Sequence, residues 1–260
     1  MAEVITRREG AVATVVFSNP VRFNALTLDM WRAIPNVLAK LDEDHAVRVI
    51  VLTGEGDRAF VSGADISQFE QNRATAEAQE LYTKALEYAY LAPSRCSKPV
   101  IAKIRGICMG GGLGLAAGCD IRLCADDAVF RMPAARMGLA YGYVGMQRFM
   151  NLMGPANTAD IFFSARKFDA REALRLGFVQ QVWPSAGLDR EVKAYCDVLA
   201  DNAPLTLAAA KRAIVEAQKD ADERNRTLVE AADLACYASA DFEEGRRAFM
   251  EKRPPRFQGR

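Results

Sequence analysis

The chain has 260 residues, half of them apolar or aromatic, with 34 basic and 33 acidic side chains and a formal net charge of +1. Scattered, balanced charge excludes the basic stripe of a nucleic-acid binder, no apolar run approaches the ~20 residues of a membrane span, and the apolar share suffices for the core of one large or two small domains. An N-terminus without a signal or transit pattern, and six cysteines (Cys96, Cys108, Cys119, Cys124, Cys196 and Cys236) without Cys-x-x-Cys spacing or a metal-ligand cluster, lead us to expect a cytoplasmic protein with buried thiols and no metal.

Alternation at 4–8 and 13–17 predicts a hairpin turning through Glu9-Gly10-Ala11. A helix is expected from Thr27 to Lys40, capped by Thr27 and kinked at Pro35. The apolar run Arg48–Gly54 predicts a strand, and a long helix follows from Thr75 to Leu91, bounded by Pro93. Strands are expected at 100–104, 120–124 and 128–131, with a small-residue helix after the first of them. Beyond Gly142 strands nearly vanish, and helices are expected at 169–176, 186–200, 205–218 and 223–238, with a hinge at Asn202-Ala203-Pro204.

The segment Gly110-Gly111-Gly112-Leu113-Gly114, which joins an apolar strand to a helix ending in Cys119-Asp120, carries the chemistry. Such a junction leaves backbone N–H groups unpaired and lets a ligand approach the main chain. Three readings compete for it. Gly112-x-Gly114-x-x-Ala117 fits a loose dinucleotide fingerprint, but Asp126 and Asp127 arrive too early for the expected acid about 20 positions on. Close helix packing accounts for Ala116 and Gly118 and leaves the triple glycine unexplained. The third is an oxyanion hole, and Ala59-Phe60-Val61-Ser62-Gly63-Ala64-Asp65-Ile66 supports it: Gly63 stands at a second strand-to-helix junction. The N–H groups of Ala64 and Gly111 then converge on one oxygen and stabilise the charge developing there.

Together these motifs resemble the crotonase superfamily (enoyl-CoA hydratase/isomerase). Asn19-Pro20 with Asn24-Ala25-Leu26 near the start resembles the family's opening motif, and Glu243, Gly245 and Ala248–Arg253 resemble its closing one. The resemblance implies an α/β fold: a ClpP/crotonase-like spiral of ββα turns over residues 1–200, carrying the acyl-CoA site. A C-terminal α-helical region over 201–260 then packs between subunits of a homotrimer or dimer of trimers. Coenzyme A is part of the substrate, and no separate cofactor is implied. For the CoA moiety the resemblance points to Arg58, Ala64 and Lys252; a further lysine position holds Ser67.

Family hydratases work with two glutamates, and the matching positions here are Gly114 and Ala134, neither of which transfers a proton. Ordinary hydration is therefore not expected. Decarboxylation of a malonyl-type thioester or an isomerisation with a relocated base fits better. A hydratase with relocated groups and a silent acyl-CoA-binding paralogue are the alternatives. The loop Leu139–Gly145 is similar to that of crotonase-type decarboxylases, in which a tyrosine matching Tyr141 lines the site; a phenol there hydrogen-bonds a carboxylate or hands a proton to an enolate. The alternative reading of Tyr141 and Tyr143 is that both simply pack, as aromatics do. Glu70 is a further candidate for the acyl pocket. His45 reads as a surface residue, Asp65 as the cap of a helix beginning at Ala64, and Arg131 and Arg136 as solvated surface that an acidic acyl group could otherwise meet.

Overall fold

The computed structural model describes residues 2–65 and 75–260. The expected hairpin forms from β1 (Glu3–Glu9) and β2 (Val12–Ser18), paired antiparallel. β2 then pairs in parallel with β3 (Val49–Gly54), β3 with β5 (Val100–Ile104), β5 with β7 (Ile121–Ala125), and β7 with β10 (Gln181–Trp183). Every residue of β3 is buried, as an apolar run in a sheet covered on both faces requires. A second sheet holds β4 (Ala59–Val61), β6 (Ile107–Met109), β8 (Val129–Arg131) and β9 (Lys167–Asp169). The two sheets meet where Phe17 and Phe60 pack edge to face at 6.0 Å.

Each turn of the chain adds one strand to each sheet and then a helix. β3 and β4 lead to α2 (Ala76–Arg95), β5 and β6 to α3 (Gly111–Gly118), and β7 and β8 to α4 (Tyr143–Ser164). This is the ββα spiral that the resemblance implied. Before it, α1 (Leu28–Glu43) starts at Thr27, whose hydroxyl accepts from Met30 N at 3.3 Å. α1 runs on through Pro35, because Met30, Trp31, Ile34 and Leu38 bury one face and offset the ~3 kcal/mol a mid-helix proline costs. α2 likewise passes Pro93 and ends at Arg95, since Ala89 and Ala92 keep its last turns packed in the core. α4 does bend: Gly154, at φ 76°, breaks the helical path just before Pro155.

After α5 (Ala170–Arg175) and α6 (Leu188–Asp201), the chain ends in α7 (Pro204–Ala217), α8 (Arg226–Tyr237) and α9 (Ala240–Glu251). α9 lies beyond the helices expected from the sequence, and β9 and β10 are short strands within the stretch where strands nearly vanish. Buried Lys211 docks α7 on the body: its Nζ reaches Asp120 Oδ2 at 2.7 Å and the Pro93 and Lys98 carbonyls at 2.7 and 2.8 Å. The last residues fold back too, with Arg48 donating to the Phe257 carbonyl at 2.6 Å. α8 and α9 still expose Leu234, Tyr237, Phe249 and Met250.

Candidate functional site

One tight backbone approach and one glycine turn bring the glycine junctions together. A Cβ on Gly112 would stand 2.1 Å from the Val61 carbonyl oxygen, so only glycine lets α3 lie this close to β4. Gly63 (φ 124°) turns the chain after β4, and a Cβ there would lie 3.8 Å from the Gly111 nitrogen. Beyond Gly63 the chain bridges Leu26: Leu26 N donates to Gly63 O, and Asp65 N donates to Leu26 O, both at 2.9 Å. Because pairing alternates along an extended segment, Ala64 turns its own N–H to the opposite side. Gly111 is the first residue of α3, so its N–H has no acceptor within the helix. The family-like Asn24 braces this corner from behind, donating to the Ala59 and Glu55 carbonyls at 2.8 and 3.0 Å.

Ala64 and Gly111 both line a cavity of about 640 Å³ beneath α2 and the loop before α4. Gly114 and Ala134, the positions that the resemblance matches to the family glutamates, line it too. The space beside Gly114 is filled. A Cβ on Gly114 would fall 2.2 Å from the Tyr141 hydroxyl and 2.8 Å from Tyr90 Cζ. Tyr141 is partly buried, stacked on Tyr90 at 6.4 Å and boxed by Phe149 and Phe162 at 5.9 and 5.2 Å. Its hydroxyl is wholly buried and meets no partner in good hydrogen-bond geometry among the described residues, though it lies close enough to Tyr90 to be influenced by it. Burial drives the Tyr141 phenol well above its usual range, outweighing Tyr90 and the Arg148 charge, which act the other way. It is therefore a donor, not a base, at neutral pH. The ring packs among aromatics, and the hydroxyl lies against Gly114.

Tyr90 is a site residue that sequence reasoning missed. Its hydroxyl would be 3.3 Å from a Cβ on Gly111, and its ring meets Trp31 edge to face at 5.6 Å. Its carbonyl accepts from the Arg148 guanidinium, a largely buried cation that also lines the cavity. Glu87, one helical turn before Tyr90, was missed as well; its Oε1 lies 4.0 Å from where a Cβ of Gly142 would be. The alternation of such residues on α2 carries no local motif.

Other expectations sort as follows. Arg58 is exposed and does not line the cavity, its guanidinium 4.3 Å above the Phe23 ring, and Arg22 pairs with Asp65 at 2.9 Å. Lys252 caps the C-terminus of α9 and does not line the cavity. Tyr143 is exposed at the cavity mouth, where the Asp220 carboxylate, 3.3 Å away, raises its pKa. Arg131 is not solvated surface, because it donates to the Ala165 carbonyl at 2.7 Å; Arg136 and His45 are exposed. No helix begins at Ala64, which pairs with Leu26 in a β-bridge, and Asp65 pairs with Arg22 instead of capping one there; Ser67 and Glu70 lie outside the described residues.

The dinucleotide reading fails on packing, since Gly112 faces Val61 and Gly114 faces two tyrosines, which leaves no room for a pyrophosphate. A second, polar cleft of about 760 Å³ has its main charges paired, with Lys103 and Arg105 at 2.7 and 2.9 Å from Asp189. Burial pushes the Cys96, Cys119, Cys124 and Cys196 thiols up to about 12, which makes them unreactive. Among the described residues no cluster suits a metal ion, and no helix is long and apolar enough to cross a membrane.

The comparisons with known proteins agree with this geometry. Residues 7–260 match the family described as enoyl-CoA hydratase/isomerase. A crotonyl-CoA hydratase of Syntrophomonas wolfei is 33% identical over 254 residues, covering 98% of this chain and 97% of its own. A peroxisomal dienoyl-CoA isomerase of Arabidopsis thaliana is 31% identical over 267 residues, covering 98% of this chain and 96% of its own. The crystal structure of an enoyl-CoA hydratase/carnitine racemase from Magnetospirillum magneticum superposes with a TM-score of 0.93 at 35% identity, over 100% of this chain and 97% of that one. The chain belongs to the enoyl-CoA hydratase/isomerase family of acyl-CoA enzymes, with the crotonase fold.

Proposed function

We propose that this enzyme binds an acyl-CoA, holds its thioester oxygen between the N–H groups of Ala64 and Gly111, and performs enolate chemistry other than ordinary hydration. The observation that carries the reading is the filled vacancy at Gly114, where the Tyr141 hydroxyl and Tyr90 ring occupy the place of one acid, together with Ala134 in the place of the other. Adding water needs a base for the water and an acid for carbon, whereas isomerisation or decarboxylation of a malonyl-type thioester needs only the enolate and one proton carrier. Tyr141 hydrogen-bonds a departing carboxylate or protonates an enolate, and the burial that keeps its phenol protonated supports this role. Arg58 meets the nucleotide phosphates, and no separate cofactor takes part. Lys252 joins the CoA site only if α9 packs across a neighbouring copy. The exposed apolar residues of α8 and α9 support such a trimer or dimer of trimers, with residues 201–260 as the assembling region.

The test is to incubate the enzyme with enoyl-, dienoyl- and malonyl-type CoA thioesters and to follow product masses. Isomerised or decarboxylated products with negligible water addition to crotonyl-CoA are expected. Robust hydration of crotonyl-CoA would overturn the reading, and light scattering that finds a monomer at micromolar concentration would overturn the assembly.

A further inference from the structure

The acyl-CoA reading leaves one chemical requirement without an owner. An enolate forms by isomerisation only if some group removes a proton from carbon, and the phenol of Tyr141 is held in its protonated form. Among the described residues lining the cavity, Glu87 supplies the one carboxylate. It stands on the face of α2 that also carries Gln79, Thr83 and Tyr90 into the cavity, at the three- and four-residue spacing of one helix face. Its Cα lies about 4.5 Å along the axis from that of Tyr90, whose hydroxyl approaches Gly111. The nearest cation on its own helix, Lys84, is engaged by Glu80 at 2.6 Å, and no hydrogen bond or ion pair holds the Glu87 carboxylate among the described residues. A carboxylate that faces the chamber of the oxyanion donors and makes no structural bond has the features of a general base.

We propose that Glu87, on α2, is the proton-transfer group of this enzyme and that its substrate class is the enoyl thioester with its double bond one carbon removed from conjugation. The Glu87 carboxylate takes a proton from the α-carbon. The C–H electron pair forms a double bond to the carbonyl carbon, and the thioester oxygen takes the negative charge beneath Ala64 and Gly111. When the dienolate collapses, the C=O re-forms, the α,β double bond forms, and the γ-carbon receives the proton back from the Glu87 carboxyl. No water, oxidant or second acid enters, so one carboxylate completes the cycle.

The experiment compares wild type with Glu87→Gln and Glu87→Asp, reading 3-enoyl-CoA isomerisation and, in deuterium oxide, exchange of the α-proton of a saturated acyl-CoA. Glu87 is exposed, so the isosteric Gln keeps the fold; acyl-CoA affinity by calorimetry checks this. Expected is a loss of roughly 10²- to 10⁴-fold in kcat and in exchange for Gln with affinity unchanged, and a partial loss for Asp. A Gln variant within threefold of wild type overturns the assignment, as does a wild type that binds acyl-CoA yet neither isomerises nor exchanges. Absence of acyl-CoA binding by wild type would instead strike at the acyl-CoA reading itself.

Discussion

Replacing Gly114 by Ala tests whether the Tyr141 hydroxyl has taken over the first glutamate position. The new methyl would sit 2.2 Å from that hydroxyl, 2.8 Å from Tyr90 Cζ and 3.1 Å from Tyr90 Cε1, so something must move. Tyr141 has little room to retreat, with Phe149 and Phe162 against its ring. Overpacking of this kind costs about 1–3 kcal/mol. The better helix propensity of Ala offsets about 1 kcal/mol of it, leaving a net loss of about 0–2 kcal/mol. The single variant is therefore a weak test, and the cycle with Tyr141→Phe is the strong one. Removing the oxygen removes the shortest contact, so Gly114→Ala should be less harmful by about 1 kcal/mol in the Phe background, within the coupling expected of touching residues. In a chain of this size that is a difference of about 2–4 °C in Tm. Thermal and denaturant unfolding of the four proteins at one fixed concentration measures it. Additivity within about 0.3–0.5 kcal/mol would refute the idea that the hydroxyl fills this space.

Three further outcomes are expected. Tyr141→Phe should lower decarboxylation of a malonyl-type thioester, if that is the chemistry, by about 10²-fold while acyl-CoA affinity holds; steady-state kinetics showing unchanged turnover would reduce Tyr141 to packing. Lys211→Met strips the cation from Asp120, whose remaining short bond is to Val100 N at 2.7 Å, and should cost about 3 kcal/mol, the low end for a broken buried pair because Asp120 keeps some solvent; a denaturation shift below about 0.5 kcal/mol would show that the pair does not hold α7. Hydrogen bonds from Arg253, Arg247 and the Arg256 N–H hold the Glu244 carboxyl far below its usual range. Its folded pKa is thus lower than its unfolded one, so its contribution is complete above the unfolded value of about 4.3 and fades as pH falls below it. Glu244→Gln should flatten that acid limb in a Tm-versus-pH series, and an unchanged limb would count against the pairing.

The sequence by itself determined the fold family and pointed to the two glycine junctions, because both are written in residues with one physical use. Gly63 and Gly112 are needed where a backbone turns at positive φ or touches another backbone, and such needs show as glycine in the chain. The expectation that two acids are missing was equally legible, since the resemblance matches Gly114 and Ala134 to the family glutamates. Helix ends were less legible: Pro35 and Pro93 read as a kink and a stop, and burial of the helix faces carried α1 and α2 through them. The tertiary structure alone decided which side chains stand beside Gly111 and Gly114. Tyr90, Glu87 and Trp31 reach the site from helices far away in sequence, and whether such side chains meet a cavity depends on how α1 and α2 lie over α3, not on their neighbours in the chain. The same holds for Lys252, which a motif assigned to the CoA site and the fold of one chain leaves outside the cavity, because a motif records residue types in order while a site is a distance in space.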